Sequence, residues 1–150
     1  TSVRFRSQPP NIMKILVTGS SGFIGFNLCK RLVELKYPIT GIDYLSGNNT
    51  VIKNLRHNEL NRLGVSQITK DINNISDLKL DFDLIIHLAA QPGVRAKDES
   101  SYFHSNIYGF KSLFDFCIDR KIKYLIYASS SSVYHDLSPP FEEVSTVLSP

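Results

Sequence analysis

Three glycines spaced three residues apart lie between an apolar run and a helical pattern, an arrangement that suits the binding of a phosphate group. These residues are Gly19, Gly22 and Gly25. Glycine permits a tight turn after a strand and lets a phosphate approach the backbone closely. The N–H groups of the first helical turn, which includes Phe23 and Ile24, would face that anion with the positive end of the helix dipole. The spacing therefore predicts a nucleotide pyrophosphate site, and a glycine-rich turn without a ligand is the alternative.

An acidic residue stands where it would help to select the nucleotide. Asp43 ends a second apolar run, 18 residues after Gly25. A carboxylate at the end of the second strand can accept hydrogen bonds from the adenosine ribose hydroxyls, and its charge would repel a 2′-phosphate. Asp43 therefore favours NAD over NADP. A loop aspartate or a helix cap is the alternative, because Ser46 and Gly47 follow closely.

The elements that must position these residues alternate between strand and helix from Met13 onward. Apolar runs predict strands at Lys14–Thr18, Ile39–Asp43, Val65–Thr69, Phe82–Leu88 and Tyr124–Ser129. Helical spacing predicts helices at Phe23–Lys36, Asn48–Asn61 and Glu99–Arg120, with a short turn at Ile75–Leu78. Alternation of this kind implies right-handed crossovers and a parallel sheet covered on both faces. We expect an α/β, Rossmann-type doubly wound parallel sheet with the strand order 3-2-1-4-5, incomplete at its C-terminus.

Apolar residues at helical spacing also predict which side of each helix faces the core. For the first helix they are Phe23, Ile24, Leu28, Leu32 and Leu35. For the second they are Val51, Ile52, Leu55 and Leu60. For the long helix they are Phe103, Ile107, Phe110, Phe114, Cys117 and Ile118. We expect Cys29 and Cys117 to be buried as small hydrophobic residues, which fits a reducing cytoplasm.

Composition and charge exclude several function classes. The 150 residues suffice for one domain, and 42% hydrophobic and 21% charged residues are ordinary for a globular protein. The net charge of +3 is small, so nucleic-acid binding is not indicated. No apolar run approaches a membrane span, and the histidines show no metal-ligand spacing. We expect residues 1–12 to be a disordered arm or an expression remnant, and residues 13–150 to be a partial NAD-binding domain without its substrate domain.

The order of several short motifs carries a resemblance to a known family. Besides the glycines and Asp43, the motifs are Asp71-Ile72, His87-Leu-Ala-Ala-Gln91, Asn106 and Ser129-Ser-Ser-Ser-Val-Tyr134. The chain resembles the extended short-chain dehydrogenases/reductases, and more narrowly the NAD-dependent nucleotide-sugar epimerases and dehydratases. The segment Leu88–Arg95 is most similar to the uronic-acid 4-epimerase branch. The resemblance implies a cytoplasmic enzyme with a nucleotide-sugar substrate and, for the full-length protein, a homodimer.

The resemblance also implies roles for individual residues. The glycines would cradle the NAD pyrophosphate, Asp71 and Ile72 would contact adenine, and Asn106 would belong to the cofactor site. Leu88, Ala89 and Ala90 would line the path of the dinucleotide, and Arg95 would reach an anion of the substrate. Each role has a structural alternative. Asp71 could cap a turn, the small residues could simply end a strand, and Asn106 could bond a neighbouring loop.

For catalysis, the resemblance places Ser130 at the position of the family's Ser/Thr, with Ser131 beside it. A hydroxyl there would hydrogen-bond the reacting sugar oxygen. Family dehydratases carry acidic residues directly afterwards, whereas this chain has Ser131 and Ser132, so epimerisation through a 4-keto sugar is favoured. Dehydratase or reductase activity and a non-catalytic dinucleotide-binding module are the alternatives.

Two departures from the family pattern affect the catalytic prediction. His135 stands where the family usually has glycine, and no Tyr-x-x-x-Lys occurs in the 150 residues. In the family that tyrosine is the proton-transfer base, and the lysine lowers its pKa. Position 138, four residues after Tyr134, is a serine. We therefore expect this chain by itself to be inactive.

Overall fold

Five strands form the centre of the structure, a computed structural model that describes residues 12–45, 50–92, 99–134 and 142. The strands are β1 Ile15–Thr18, β2 Ile39–Asp43, β3 Ser66–Thr69, β4 Leu84–His87 and β5 Tyr124–Tyr127. They pair in parallel in the order β3-β2-β1-β4-β5. The predicted Rossmann-type sheet and its strand order are confirmed.

Helices connect the strands at nearly the predicted positions. They are α1 Phe23–Glu34, α2 Thr50–Arg62, a 3₁₀ segment Ile72–Asp77 and, after β5, a second 3₁₀ segment Ser131–Tyr134. The long helix before β5 consists of three consecutive segments: α3 Ser100–Tyr102, a π segment Phe103–Tyr108 and α4 Gly109–Asp119. The π segment is a feature that the apolar spacing did not predict.

Both faces of the sheet carry a hydrophobic core. Leu16 and Ile85 pack on one face against the first 3₁₀ segment and α4, while Ile15 and Val17 pack on the other against α1 and α2. Because β1 is central and covered on both sides, all of its residues are buried. The core thus fixes β1, and with it the start of the glycine turn.

The two cysteines lie in these cores, as predicted. Cys29 on α1 and Cys117 on α4 are buried free thiols. Burial raises the pKa of Cys29 to about 12 and raises that of Cys117 as well. Both side chains therefore act as small hydrophobic groups.

The predicted apolar sides of α1 and α2 are only partly confirmed. On α1, Leu28 and Leu32 pack partly buried against the core as predicted, and Gly25 and Cys29 are buried, whereas Phe23, Ile24 and Leu35 are exposed. On α2, Leu60 is buried, whereas Val51, Ile52 and Leu55 are exposed. Packing at these helices depends on how closely each approaches the sheet, which helical spacing alone does not determine.

The long helix buries only part of the predicted side. Of the predicted residues, Cys117 is buried and Phe110 is half-buried, whereas Phe103, Ile107, Phe114 and Ile118 are exposed. Gly109, Leu113 and Phe116 are buried in addition. Predicted residues are exposed both within and after the π segment, so the buried side is set by packing against the first 3₁₀ segment rather than by the helical spacing.

The edge strand β5 is partly uncovered. Tyr124, Ile126 and Tyr127 are exposed, and 56% of Ile126 is accessible. β4 is the one strand that pairs with β5 among the described residues. The outer side of β5 is therefore uncovered within the described part of the chain.

Candidate functional site

The turn after β1 requires glycine at its first position. Gly19 has φ +70°, in the left-handed region that favours glycine. A Cβ atom there would lie only 2.8 Å from backbone atoms of Leu88 and Ala89. The Gly19 N–H also donates to Ile42 O at 2.8 Å, which ties the turn to β2. The turn is therefore packed tightly between the ends of β2 and β4.

The other two glycines have different reasons for lacking a side chain. A Cβ at Gly25 would collide with Gly19 O, so glycine allows α1 to lie close to the turn. Gly22 has φ −68° and ψ 173°, a conformation open to any residue. Among the described residues outside its chain neighbours, a Cβ there would meet only Gly19 O, at a tight 3.1 Å, so space remains on the other sides of Gly22. A phosphate approaching the backbone there would fill the volume that a side chain would take.

The first turn of α1 offers donors to that space. Gly22 is the N-cap and supplies no side-chain acceptor, and the first turn contains no acidic residue. Its N–H groups, including those of Phe23 and Ile24, lack partners within an α-helix by geometry and lie at the positive end of the dipole. The Phe23 and Ile24 side chains point into solvent, with 72% and 64% exposure. Any contribution of these two residues to ligand binding therefore comes from their backbone.

Asp43 stands beside the glycine turn, at the end of β2. It is buried, and its Oδ2 accepts a hydrogen bond from the Ser21 N–H at 3.0 Å. Its Oδ1 accepts a bond from Lys53 Nζ, also at 3.0 Å. A carboxylate has about four acceptor positions, so two bonds leave capacity for ribose hydroxyls. Lys53 was missed in the sequence, where nothing indicates that α2 returns to the end of β2.

Arg56 adds a second cation near the turn. Its guanidinium lies over the rings of Phe23 and Phe26, at 5.8 and 5.9 Å from the centroids. It also donates a long bond of 3.4 Å to Ser21 O. The glycine turn is thus bordered by Lys53 and Arg56, which favours an anionic ligand.

The buried pair of Thr18 and His87 positions the segment that follows β4. The Thr18 Oγ1 atom accepts hydrogen bonds from the N–H groups of Leu88 and Ala89, each at 3.2 Å. Its own proton is therefore available to His87 Nδ1, at 2.7 Å. Burial lowers the pKa of His87 to about 4, so the ring is neutral with its proton on Nε2. His87 thus has a structural role at the end of β4, and its partner Thr18 was missed in the sequence.

Leu88 and Ala89 are half-buried beside Gly19, and Ala90 is exposed. The prediction that these three residues line a dinucleotide remains a prediction. The structure adds the reason for their position, since Thr18 holds the backbone of the first two directly against the glycine turn.

Asp71 caps the first 3₁₀ segment and has a second set of partners. Its Oδ1 accepts the Asn73 backbone N–H at 2.9 Å, and its Oδ2 lies 2.7 Å from His104 Nε2. Partial burial would raise the pKa of Asp71, but the bonds from Asn73 and then His104 lower it below its usual value. Ile72 is buried against the long helix. The capping alternative is thus correct for Asp71, and it leaves the adenine prediction open.

Asn106 uses both ends of its amide on the loop after β4. Its Oδ1 accepts the Gln91 N–H at 2.8 Å, and its Nδ2 donates to Gln91 O at 3.1 Å. This is the loop contact that the sequence left open as the alternative. Asn106 therefore positions the loop that leads away from Ala90, and its contact with a cofactor remains a prediction.

The two candidate catalytic serines follow β5. Ser130 is exposed, and its carbonyl accepts the Val133 N–H at 3.2 Å as the second 3₁₀ segment begins at Ser131. The Ala128 N–H donates to His87 O at 3.2 Å, which joins this strand end to that of β4. The serines therefore follow the same edge of the sheet as the glycine turn. Arg95 lies outside the described residues.

The described ranges contain neither a metal-binding cluster nor a membrane-spanning helix. No cluster of three His, Cys, Asp or Glu side chains suited to a metal ion occurs there. None of the helices in these ranges combines the length and apolar character needed to cross a bilayer.

The chain is similar to a family of known proteins and to several of its members. Residues 15–150 match the NAD dependent epimerase/dehydratase family. A UDP-glucuronate 4-epimerase from Thermodesulfobacterium geofontis is 40% identical over 149 residues, covering 90% of this chain and 46% of that protein. UDP-glucuronate 4-epimerase 2 from Arabidopsis thaliana is 37% identical over 153 residues, covering 95% and 35%.

A solved structure shows the same relation in three dimensions. It is the UDP-glucuronic acid 4-epimerase from Bacillus cereus in complex with NAD, with a TM-score of 0.73 and 38% identity. The match covers 84% of this chain and 42% of that one. The chain thus spans less than half the length of these relatives.

Proposed function

This chain belongs to the NAD dependent epimerase/dehydratase family, and on that basis we propose that residues 13–150 are the NAD-binding part of a nucleotide-sugar 4-epimerase. UDP-glucuronate is the proposed sugar substrate. The observation that carries the proposal is the space above Gly22, bordered by the start of α1 and by Asp43. The 40% identity to a UDP-glucuronate 4-epimerase supports the choice of sugar.

NAD is the cofactor of this family, and the residues present suit it. The N–H groups at the start of α1 would hold the pyrophosphate, and Asp43 would accept bonds from the adenosine ribose. Asp71 and Ile72 would contact adenine, with Leu88, Ala89 and Ala90 along the dinucleotide. When bound, NAD supplies reversible removal of hydride from C4 of the sugar.

Asp43 is the residue we propose to select NAD over NADP. Its buried carboxylate would face a 2′-phosphate with the same sign of charge. Lys53 offsets part of that charge through its 3.0 Å ion pair. Removal of Lys53 in Lys53→Gln should therefore increase the preference for NAD over NADP, measured by calorimetric titration with each dinucleotide.

Ser130 is proposed to hydrogen-bond the reacting oxygen of the sugar, with Ser131 beside it. Neither serine would act as a nucleophile. Positions 131 and 132 carry no carboxylate that could serve as an additional acid or base, so loss of water is disfavoured. Since Tyr-x-x-x-Lys does not occur in the 150 residues, we assign proton transfer to a part of the longer protein.

Product analysis of the full-length protein tests the proposal against its rivals. UDP-glucuronate, UDP-N-acetylglucosamine and dTDP-glucose would be supplied separately, and we expect C4 epimers with UDP-glucuronate as the best substrate. Release of water would indicate a dehydratase, and net consumption of NADH would indicate a reductase. Reading the gene beyond Pro150 tests the remaining alternative, because absence of a Tyr-x-x-x-Lys codon pattern would favour a non-catalytic module.

A further inference from the structure

Asp71 and His104 are 33 residues apart in the chain and in direct contact. The His104 Nε2 atom lies 2.7 Å from Asp71 Oδ2. The Asp71 side chain is 17% exposed, whereas the His104 side chain is 54% exposed. The contact joins the cap of the first 3₁₀ segment to the π segment of the long helix.

The hydrogen-bond contacts determine which atom of this pair carries the proton. Asn73 Nδ2 donates to Asp71 Oδ1 at 2.9 Å and to His104 O at 3.1 Å. An ionised carboxylate can only accept, so the 2.7 Å contact assigns a proton to His104 Nε2, which donates it to Asp71 Oδ2. Both amide protons of Asn73 are used by its other two bonds, so its 3.1 Å approach to Nε2 is not counted as a third.

A second contact holds the same two elements together. A Cβ at Gly109 would lie 2.6 Å from Ile72 Cγ2, so the long helix and the first 3₁₀ segment approach as closely as glycine allows. The packing of Ile72 fixes the distance between the elements, and the bond from His104 then fixes the rotation of the Asp71 carboxylate.

This arrangement lies next to the residue proposed to hold the ribose. The Lys70 N–H, one residue before Asp71, donates to Asp43 O at 3.1 Å. Asp71 therefore follows β3 next to the end of β2 that carries Asp43, at the carboxyl edge of the parallel sheet, where ligands of this fold class bind.

We propose that His104, together with Asn73, is a positioning residue that orients the Asp71 carboxylate for recognition of adenine at the adenosine end of the site. The inference rests on the proposed function, because it requires NAD to bind there. Two donors from Asn73 and one from His104 hold the carboxylate ionised and fixed. A fixed anionic acceptor discriminates in favour of a base that carries an exocyclic amino group.

Nicotinamide hypoxanthine dinucleotide is the probe for this role. It differs from NAD in carrying a carbonyl oxygen where adenine has its amino group. This oxygen cannot donate a hydrogen bond to the Asp71 carboxylate, which also only accepts. Wild-type protein should bind NAD more tightly than this analogue. We divide the dissociation constant of the analogue by that of NAD. His104→Ala should reduce this ratio about tenfold, as expected for loss of one hydrogen bond to a charged group.

Matched variants separate positioning from general packing. His104→Gln should restore most of the ratio, because its side-chain amide can donate to Asp71 in place of Nε2. Asn73→Ala should lower the ratio, whereas Asn74→Ala should not. Ile107→Ala changes an exposed residue of the same π segment and should leave the ratio unchanged. Titration calorimetry gives both constants, and thermal unfolding without ligand monitors the fold.

Each outcome bears on a defined claim. If wild-type protein binds NAD and His104→Ala retains the wild-type ratio, the role of His104 is overturned while the proposed function stands. An equal reduction of the ratio in Ile107→Ala would also overturn the role of His104, since a general destabilisation of the helix would then explain the result. If wild-type protein binds no NAD, the proposed function and this inference both fail.

Discussion

Substitution of Gly22 should affect ligand binding more strongly than it affects the stability of the fold. The Gly22 backbone is extended, and among the described residues a Cβ would meet Gly19 O at 3.1 Å. Gly22→Val should therefore lower the unfolding midpoint less than Gly25→Ala does and weaken NAD binding by at least about tenfold, because its side chain occupies the space that the phosphate would take. Gly25→Ala is the contrasting variant and should lower the midpoint, since its Cβ collides with Gly19 O. Retained NAD affinity in Gly22→Val would contradict the assigned site.

The hydroxyl of Thr18 contributes both to the stability of the fold and to the position of Leu88 and Ala89 beside the glycine turn. Thr18→Val would remove the hydroxyl partner of the Ala89 N–H and of His87 Nδ1, whereas the Leu88 N–H would keep its 3.1 Å bond to Thr18 O. We expect the free energy of unfolding to fall by about 1–3 kcal/mol, the usual cost of unsatisfied buried groups. Thr40→Val in the neighbouring strand is the control and should change stability little. Denaturant titration measures both, and equal stabilities would refute the role of the hydroxyl.

His87 makes the stability depend on pH in the weakly acidic range. Burial lowers its pKa from 6.5 to about 4, so the unfolded chain takes up a proton at a higher pH than the folded chain does. The contribution of neutral His87 to the free energy of unfolding is therefore complete above pH 6.5, its pKa in the unfolded chain. It is lost as the pH falls from 6.5 to about 4, and the free energy of unfolding decreases by about 3 kcal/mol. Denaturation at several pH values measures it.

A variant identifies the source of that dependence. His87→Asn places a non-titrating acceptor near Thr18 and should flatten the change between about pH 6.5 and 4. Asp71 adds a separate loss at lower pH, because its folded pKa lies below the ordinary value of 3.8. An unaltered pH profile in His87→Asn would assign the first transition to another group.

At the scale of elements, local pattern predicts where strands and helices occur better than which side of a helix is buried. Strand positions follow from short apolar runs, and these are continuous in a parallel sheet covered on both faces. The side buried by the long helix is set by its packing against the first 3₁₀ segment, since Leu113 and Phe116 belong to the same core cluster as Ile72 and Ile75. No residue type in the sequence signals this partner or the π segment at 103–108.

The exposed face of β5 carries a prediction at this scale. Ile126→Lys places a charge on an exposed position of an edge strand, a known means of suppressing association. It should reduce self-association in sedimentation experiments with little effect on the unfolding midpoint. Ile85→Lys, at a fully buried position of β4, should prevent folding. Unchanged association in Ile126→Lys would show that another surface is responsible.

At the scale of the whole molecule, residues near each other in sequence were the predictable part of the site. The three glycines lie within one turn and a helix start, and Asp43 follows from the end of a strand pattern. Thr18 with His87, and Asp71 with His104, are pairs separated by 69 and 33 residues. Their contacts exist because the sheet order and the long helix bring them together, and a single sequence does not specify that geometry.

Binding and turnover should therefore be separable in the 150-residue chain. The space above Gly22 that would hold the phosphate, α1 and Asp43 all lie within the described residues. The 150 residues contain no Tyr-x-x-x-Lys to transfer a proton. We expect calorimetric titration to show NAD binding by the wild-type chain and binding at least about tenfold weaker by Gly22→Val. Incubation with NAD and UDP-glucuronate should give no C4 epimer by chromatography of the released sugar. Epimer formation by this chain would require another base, and Tyr134, half-buried after the two serines, would be the first residue to replace with Phe.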